Sequence, residues 1–353
     1  MSAPRIDPML EVRGLSLAVT TGGVGRPILE TVFLTCGKGE IVGLVGESGS
    51  GKSMTLRTAV GLVPPRSRVE GRVLVAGRDV LGAPAPVLRE IRSRTTAMIF
   101  QDPRAHINPF QRIGAFLTEG LRVHRGLPRG KALAVAAGLL DEVGLPDPGR
   151  HLRQYPHELS GGMLQRVMIA AALAGEPELL LADEPTTALD VTTQAEIMAI
   201  LLRLRRERGL AIVLVTHDLD LAAAVCDRIH VMYAGSIVEV ADADALHRRP
   251  RHPYTAALFA SRPGPGRTTL RAVPGRPLGL FEAPLGCAFA PRCAYAADAC
   301  HESAPRPRTI AGHLVACHRA DDLTLTDTSA PVTSGAETGE PAGPARPRQR
   351  SRP

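Results

Sequence analysis

A short β-branched apolar run, Ile41-Val42-Gly43-Leu44-Val45, leads directly into Gly46-Glu47-Ser48-Gly49-Ser50-Gly51-Lys52-Ser53. The first segment has the composition of a buried strand, and the second is a complete P-loop. The glycines let the backbone curl until several amide N–H groups converge on one anion. The helix expected to begin near Ser53 turns its positive end to the same point. Lys52 is placed to reach the β- and γ-phosphates of a nucleoside triphosphate, and the Ser53 hydroxyl to ligate Mg2+. A glycine-rich turn by itself needs only positive φ angles. The full pattern, set between strand and helix, specifies a phosphate cradle and an α/β architecture around it.

The 353 residues are 44% hydrophobic, enough to bury a sizeable catalytic domain with a smaller appendage. No uncharged apolar stretch is long enough to span a bilayer, and Met1-Ser2-Ala3-Pro4-Arg5-Ile6-Asp7 lacks the apolar core of a secretory signal. The chain is therefore expected to stay on the cytosolic side. Its formal charge of +7 is almost wholly due to arginine, since Lys38, Lys52 and Lys131 are the only lysines. Much of the excess lies toward the C-terminus, in Arg248-Arg249, Arg306, Arg308 and Arg346-Pro347-Arg348-Gln349-Arg350-Ser351-Arg352. A basic surface can serve nucleic acid or an anionic membrane face. Arginines scattered through a polar tail more often form a solvated segment, and no nucleic acid partner is expected.

Residues 10–44 read as strands, with turns at Thr21-Gly22-Gly23 and Gly37-Lys38-Gly39. A helix after the P-loop ends near Gly61 and Pro64-Pro65, and a further strand pair is expected at 71–76 and 95–100. From about 103 to 176 the pattern is helical, most clearly over 131–143 and 163–174, while 179–182 and 211–216 have the look of buried parallel strands. The expected organisation is an ATPase-type domain over 1–249 with a helical subdomain at about 103–176, a loop-rich module over 250–320, and a disordered Thr/Ser/Ala/Gly/Pro tail over 321–353.

Further motifs follow the P-loop in a fixed order. Leu179-Leu180-Leu181-Ala182-Asp183-Glu184 is an apolar strand that delivers two adjacent carboxylates at its C-terminal end, where open α/β sheets hold ligands. Leu159-Ser160-Gly161-Gly162-Met163 places a good N-cap and two glycines at the start of a helix, another surface of open amides. With Gln101-Asp102-Pro103, Ala188-Leu189-Asp190 and Val215-Thr216-His217-Asp218, the chain from about 10 to 253 resembles the ATP-binding subunit of an ABC transporter.

The resemblance implies a P-loop NTPase, RecA-like α/β core with a helical subdomain, an antiparallel β subdomain and a small C-terminal cysteine-containing module. It implies that two such domains meet head to tail, each ATP lying between one P-loop and the other chain's signature. Gly46 to Ser53 would hold the phosphates, and Ser160, Gly161, Gly162 and Asp190 would act across the seam. Ser53, Gln101 and Asp183 would surround Mg2+. Glu184 would be the general base, His217 would contact the γ-phosphate and hold water and base in line, and Lys52 would neutralise developing charge. Gln101 would also relay site closure to a membrane partner. An unrelated P-loop kinase or GTPase has no need of the signature helix acting in trans.

Gly46-Glu-Ser-Gly-Ser-Gly-Lys-Ser-Met54, Ile99-Phe-Gln-Asp-Pro103, Asn108-Pro109, the run from Ala182 to Val191 and His252-Pro-Tyr-Thr-Ala-Ala-Leu258 are similar to importers of dipeptides, oligopeptides and nickel. The long cysteine-bearing C-terminus favours peptide, with a nickel or other small-solute importer, or an ABC ATPase acting on nucleic acid, as alternatives. The branch implies a heterodimer with a second ATPase, two permease subunits, an extracytoplasmic solute-binding protein, and a place at the cytoplasmic face of the membrane.

Six cysteines divide unevenly: Cys36 and Cys226 stand alone, whereas Cys287, Cys293, Cys300 and Cys317 share one stretch. In a reducing compartment such a cluster points to metal rather than disulfides. The spacing matches no standard zinc knuckle and leaves iron–sulfur, zinc and free thiols open. The resemblance adds a [4Fe-4S] cluster as the preferred occupant. Two positions depart from the family pattern: Val19 stands where an aromatic ring would stack on adenine, and Leu164 replaces a polar residue just after the signature.

Overall fold

A computed structural model describes residues 8–187, 189–261 and 273–325. Its strands, in chain order, are β1 (Leu10–Thr21), β2 (Val24–Cys36), β3 (Ile41–Val45), β4 (Ser67–Val75), β5 (Arg78–Asp79), β6 (Thr96–Ile99), β7 (Leu179–Asp183), β8 (Ala211–Thr216), β9 (Arg228–Tyr233), β10 (Ser236–Asp242), β11 (Arg308–Ile310) and β12 (His313–Val315). They form two sheets. One is antiparallel with the order β2-β1-β4-β5, and the other has eight strands in the order β11-β12-β10-β9-β3-β8-β7-β6. Within the larger sheet, β9, β3, β8, β7 and β6 run parallel, and β10, β12 and β11 continue it antiparallel.

The three central strands β3, β7 and β8 are buried along their whole length. A parallel sheet covered on both faces requires near-continuous apolar strands of this kind. Alternate side chains divide between two cores, as the two-residue period of a strand dictates. Ile41, Val45, Leu180, Ala182, Ile212 and Leu214 join a cluster shared with the helices. Val42, Leu44, Leu179, Leu181, Val213 and Val215 join one shared with β1, β2 and β4 and with the P-loop helix Lys52–Ala59.

The strands expected as a pair at 71–76 and 95–100 are not partners. β4 pairs with β1 and β5 in the antiparallel sheet, whereas β6 lies at the edge of the large sheet against β7. Within the expected spans, Val73-Leu74-Val75 and Ala97-Met98-Ile99 are both short apolar runs, and such runs carry no information about which sheet receives each. Between β6 and β7 come the helices Pro103–His106, Ile113–Arg125, Arg129–Glu142, Pro148–His151 and Gly161–Leu173. Because β6 and β7 remain parallel neighbours, this helical insert enters and leaves without interrupting the sheet.

Beyond β10, the helix Pro253–Ala260 is buried along most of its length. The hairpin β11–β12 then returns to β10, placing Val315 opposite Glu239. Glu239 is fully buried. Its carboxylate accepts from the backbone N–H of Arg251 (2.7 Å) and His252 (3.0 Å) and lies 2.8 Å from His313 Nδ1, joining the C-terminal segment to the sheet. Ala320 and Leu325 are also buried, so chain order persists to the last described residue. Residues 326–353, most of the span expected as a tail, lie outside the described residues.

Candidate functional site

The P-loop connects β3 to the helix Lys52–Ala59. Gly46 sits at φ 155°, where a Cβ would collide with the Met232 carbonyl, so only glycine allows the loop to leave the sheet here. The Lys52 ammonium lies inside the loop and donates to the carbonyls of Gly46 and Glu47, each at 2.8 Å. Burial lowers its pKa, opposed by the nearby carboxylates of Glu184, Asp183 and Glu47. A desolvated cation at the mouth of a helix is suited to a polyanion that brings compensating charge.

Asp183 closes β7 fully buried. One of its oxygens accepts a 2.7 Å hydrogen bond from Ser53 Oγ, and the other, Oδ2, is buried with no hydrogen-bond partner. Burial raises its pKa, with the Ser53 hydroxyl opposing. A desolvated carboxylate with one oxygen unspent beside a serine hydroxyl is the donor set that a hard, oxygen-seeking cation takes. The residues therefore fit Mg2+.

Next along the chain, Glu184 adopts φ 46°, a left-handed conformation that a glutamate rarely visits. Residues held there cluster where function over-determines the backbone. The turn is fixed by the Glu184 N–H donating to the Val215 carbonyl at 3.0 Å and by the Thr187 N–H donating to the Glu184 carbonyl at 3.2 Å. Three side chains then meet one oxygen. Gln101 Nε2 donates to Glu184 Oε2 at 3.0 Å and Thr187 Oγ1 at 2.8 Å, while His217 Nδ1 lies 3.5 Å away. Gln101 follows β6, Glu184 follows β7 and His217 follows β8, so three adjacent parallel strands deliver their C-terminal ends to one point. Thr187 was not among the sequence candidates; its signal is the three-residue offset from Glu184 within one turn.

The signature stands apart from this cluster. Ser160 is the N-cap of Gly161–Leu173 and accepts from the Met163 N–H at 3.3 Å. A Cβ on Gly162 would come within 2.5 Å of the Thr193 side chain. Glycine is thus what lets this helix start abut the helix Val191–Arg208. Asp190 caps that second helix, accepting from Thr193 N–H (3.0 Å) and Oγ1 (2.7 Å), and these bonds, the backbone one foremost, lower its pKa. Ala188 of the same loop lies outside the described residues. Leu164 belongs to the buried core, so the apolar residue after the signature is a packing residue and leaves the signature's outer surface unaltered.

Val19 is half-buried near the end of β1, opposite Arg26 of β2, and packs against the core under the P-loop helix. The four clustered cysteines line one small cavity together with His252, Phe289 and Tyr295. All are free thiols. Burial pushes Cys293 up to about 12 and Cys317 up to about 11. Among the described residues no three His, Cys, Asp or Glu side chains are grouped closely enough to hold a single metal ion.

A family model described as ABC transporter matches residues 29–187, and one described as the C-terminal region of oligopeptide/dipeptide transporters matches 238–300. The oligopeptide transport ATP-binding protein OppD of Escherichia coli (strain K12) is 40% identical over 322 residues, covering 90% of this chain and 95% of that protein. Its namesake in Haemophilus influenzae is 42% identical, covering 86% and 95%. Among solved structures, a dimeric ATP-binding cassette in a post-hydrolysis state with ADP and Pi superposes with a TM-score of 0.60 at 30% identity, covering 67% of this chain and 99% of the cassette. The cbiO1 cassette of Clostridium perfringens superposes with a TM-score of 0.59 at 26% identity, covering 68% and 90%. A P-loop, a carboxylate pair at the end of a parallel strand with Asp183 buried, and a C-terminal segment of the same branch leave one assignment: the chain belongs to the ATP-binding subunits of the ABC transporter family, in the oligopeptide/dipeptide branch.

Proposed function

We propose that this chain hydrolyses ATP to power import of di- or oligopeptides, and that it does so from the cytoplasmic face of the membrane as one of two non-identical ATPase subunits. Two permease subunits and an extracytoplasmic solute-binding protein complete the assembly. The observation that carries the catalytic part is the convergence of Gln101, Thr187 and His217 on Glu184 Oε2, one residue from the unspent oxygen of Asp183.

In this reading the phosphates lie along the amides of Gly46, Glu47, Ser48, Gly49, Ser50 and Gly51, and Lys52 turns from the loop carbonyls to the γ-phosphate. Ser53 and Asp183, with Gln101, would hold Mg2+, which would supply neutralisation of the charge that develops on the phosphates. Glu184 takes the proton of the attacking water, and its three neighbours keep the carboxylate aimed. His217, largely exposed beside Glu184, is open to contact by the γ-phosphate and by a partner. Ser160, Gly161 and Gly162 act on the partner's nucleotide. Their helix start packs beside Leu189 and Thr193, on either side of Asp190 and the 83% exposed Val191, which supports signature and D-loop forming one surface for a second ATPase.

Among the described residues no helix is long and apolar enough to cross a membrane. Coupling to permeases then needs a docking surface. A cleft of about 350 Å3 between β6 and the helical insert, lined by Phe100, His106, Phe116, Met168 and Arg92, adjoins Gln101 and supports that role. Tagged protein is expected to co-purify two permease subunits, and deletion of its gene to abolish uptake of labelled oligopeptide while sparing nickel uptake. Loss of nickel uptake with peptide uptake intact would select the nickel reading instead.

The four cysteines support a [4Fe-4S] cluster in so far as one cavity gathers four thiols and no carboxylate. A cluster takes one thiolate at each of several irons and needs no single-ion grouping. Anaerobically purified protein is expected to contain iron and acid-labile sulfide; absence of both would leave four buried thiols in a packed module.

A further inference from the structure

The second residue of the P-loop is an acid, in a loop whose purpose is to gather anions. Glu47 is kept there by a residue far along the chain. Both of its carboxylate oxygens accept from the Arg292 guanidinium, Oε2 from Nη1 at 2.7 Å and Oε1 from Nη2 at 2.9 Å. The Arg292 side chain is 4% exposed. Its Nε donates to the Pro274 carbonyl at 2.6 Å, and its guanidinium lies over the rings of Tyr233 (5.8 Å) and Phe289 (5.9 Å). The Glu47 backbone N–H is held as well, donating to the hydroxyl of buried Tyr254 at 2.8 Å. Planar, two-point recognition of a carboxylate is what arginine does and lysine cannot.

We infer that Arg292 makes the C-terminal segment part of the nucleotide site, acting as a positioning residue that neutralises Glu47 and so lets the P-loop accept a triphosphate. An unpaired carboxylate at this position would add negative charge close to Lys52, in a partly desolvated loop where a like-charged phosphate is repelled far more than in water. Arg292 also lies directly before Cys293, and Phe289 touches both Arg292 and the cysteine cavity, so packing of that cavity and geometry of the P-loop share residues. The inference rests on the ATPase reading above.

The test is equilibrium binding of a fluorescent ATP analogue to the full chain, with wild type, Arg292→Gln, Glu47→Gln and the double variant. Arg292→Gln is expected to weaken binding by about tenfold or more, with a larger loss for ATP than for ADP. Adding Glu47→Gln to it should recover most of the loss, because the charge to be neutralised is gone. Glu47→Gln alone keeps the backbone amide and leaves the Arg292 charge unspent beside the loop, so it should bind ATP more tightly than wild type, by about threefold. A purely structural brace would weaken binding in both single variants and show no recovery in the double. Affinity of Arg292→Gln within twofold of wild type, or a double variant no tighter than Arg292→Gln, overturns the inference. Should Arg292→Gln fold too poorly to titrate, the Glu47→Gln measurement decides, since a clear loss of affinity there contradicts neutralisation. If wild type itself fails to bind, the ATPase reading fails, which is a separate outcome.

Discussion

Glu184→Gln is expected to bind ATP with near wild-type affinity and to lose about 10² to 10⁴ of its turnover, the usual share of a positioned general base. The amide has nearly the shape of the acid, and its oxygen can still accept from Gln101 Nε2 and Thr187 Oγ1, which now hold Glu184 Oε2 at 3.0 and 2.8 Å. The left-handed turn at residue 184 is stabilised by backbone bonds to Val215 and Thr187, which the substitution leaves alone. What disappears is the ability to take a proton from water. The measurement is phosphate release by the purified chain with its partner ATPase, alongside nucleotide binding. Turnover at the wild-type rate would remove Glu184 from the role of base.

The second large effect is Asp183→Asn, for which activity and stability should move in opposite directions. Hydrolysis should fall by about 10² to 10³, comparable to losing a principal electrostatic group at a reacting phosphate. The protein without nucleotide should melt at or above the wild-type temperature. Asp183 is fully buried and burial raises its pKa, so the folded chain holds this proton more tightly than the unfolded chain does. The contribution of this group to stability therefore decreases as pH rises from the ordinary aspartate range through the folded value, and the ionised side chain is a net cost at neutral pH. An amide at 183 removes that cost and keeps an oxygen for the Ser53 hydroxyl, now 2.7 Å from Asp183 Oδ1. Thermal melts with and without Mg·ATP check both parts. The wild type should gain stability on adding Mg·ATP and the variant should gain much less. A variant that melts lower than wild type and responds equally to Mg·ATP would contradict the assignment.

The phosphate cradle, the carboxylate pair and the histidine were legible in the chain because each is a local pattern. Gly46 to Ser53 must curl where glycine stands, and Leu179 to Asp183 must be buried where every residue is apolar or ends the strand. The motifs were therefore readable as parts, and the order in which they occur placed them in one family. Three things were decided only in space. The apolar runs Val73-Leu74-Val75 and Ala97-Met98-Ile99 name no partner, and packing sent β4 to the antiparallel sheet and β6 to the parallel one. Thr187 and the shared oxygen of Glu184 emerged only when β6, β7 and β8 brought their ends together.

Arg292 is the clearest case. Read along the chain it is one arginine among many, beside a cysteine whose chemistry draws more notice. A periodic pattern reports which face of an element is buried, and a motif reports the backbone it needs, but neither reports a partner separated by hundreds of residues. Only the return of the C-terminal segment over Tyr233 and Tyr254 sets a guanidinium against Glu47. The sequence by itself determined the cradle and the carboxylates, because short-range backbone and burial requirements dictate them. The tertiary structure alone decided which charges stand beside that cradle, because electrostatic partners are chosen by proximity in space.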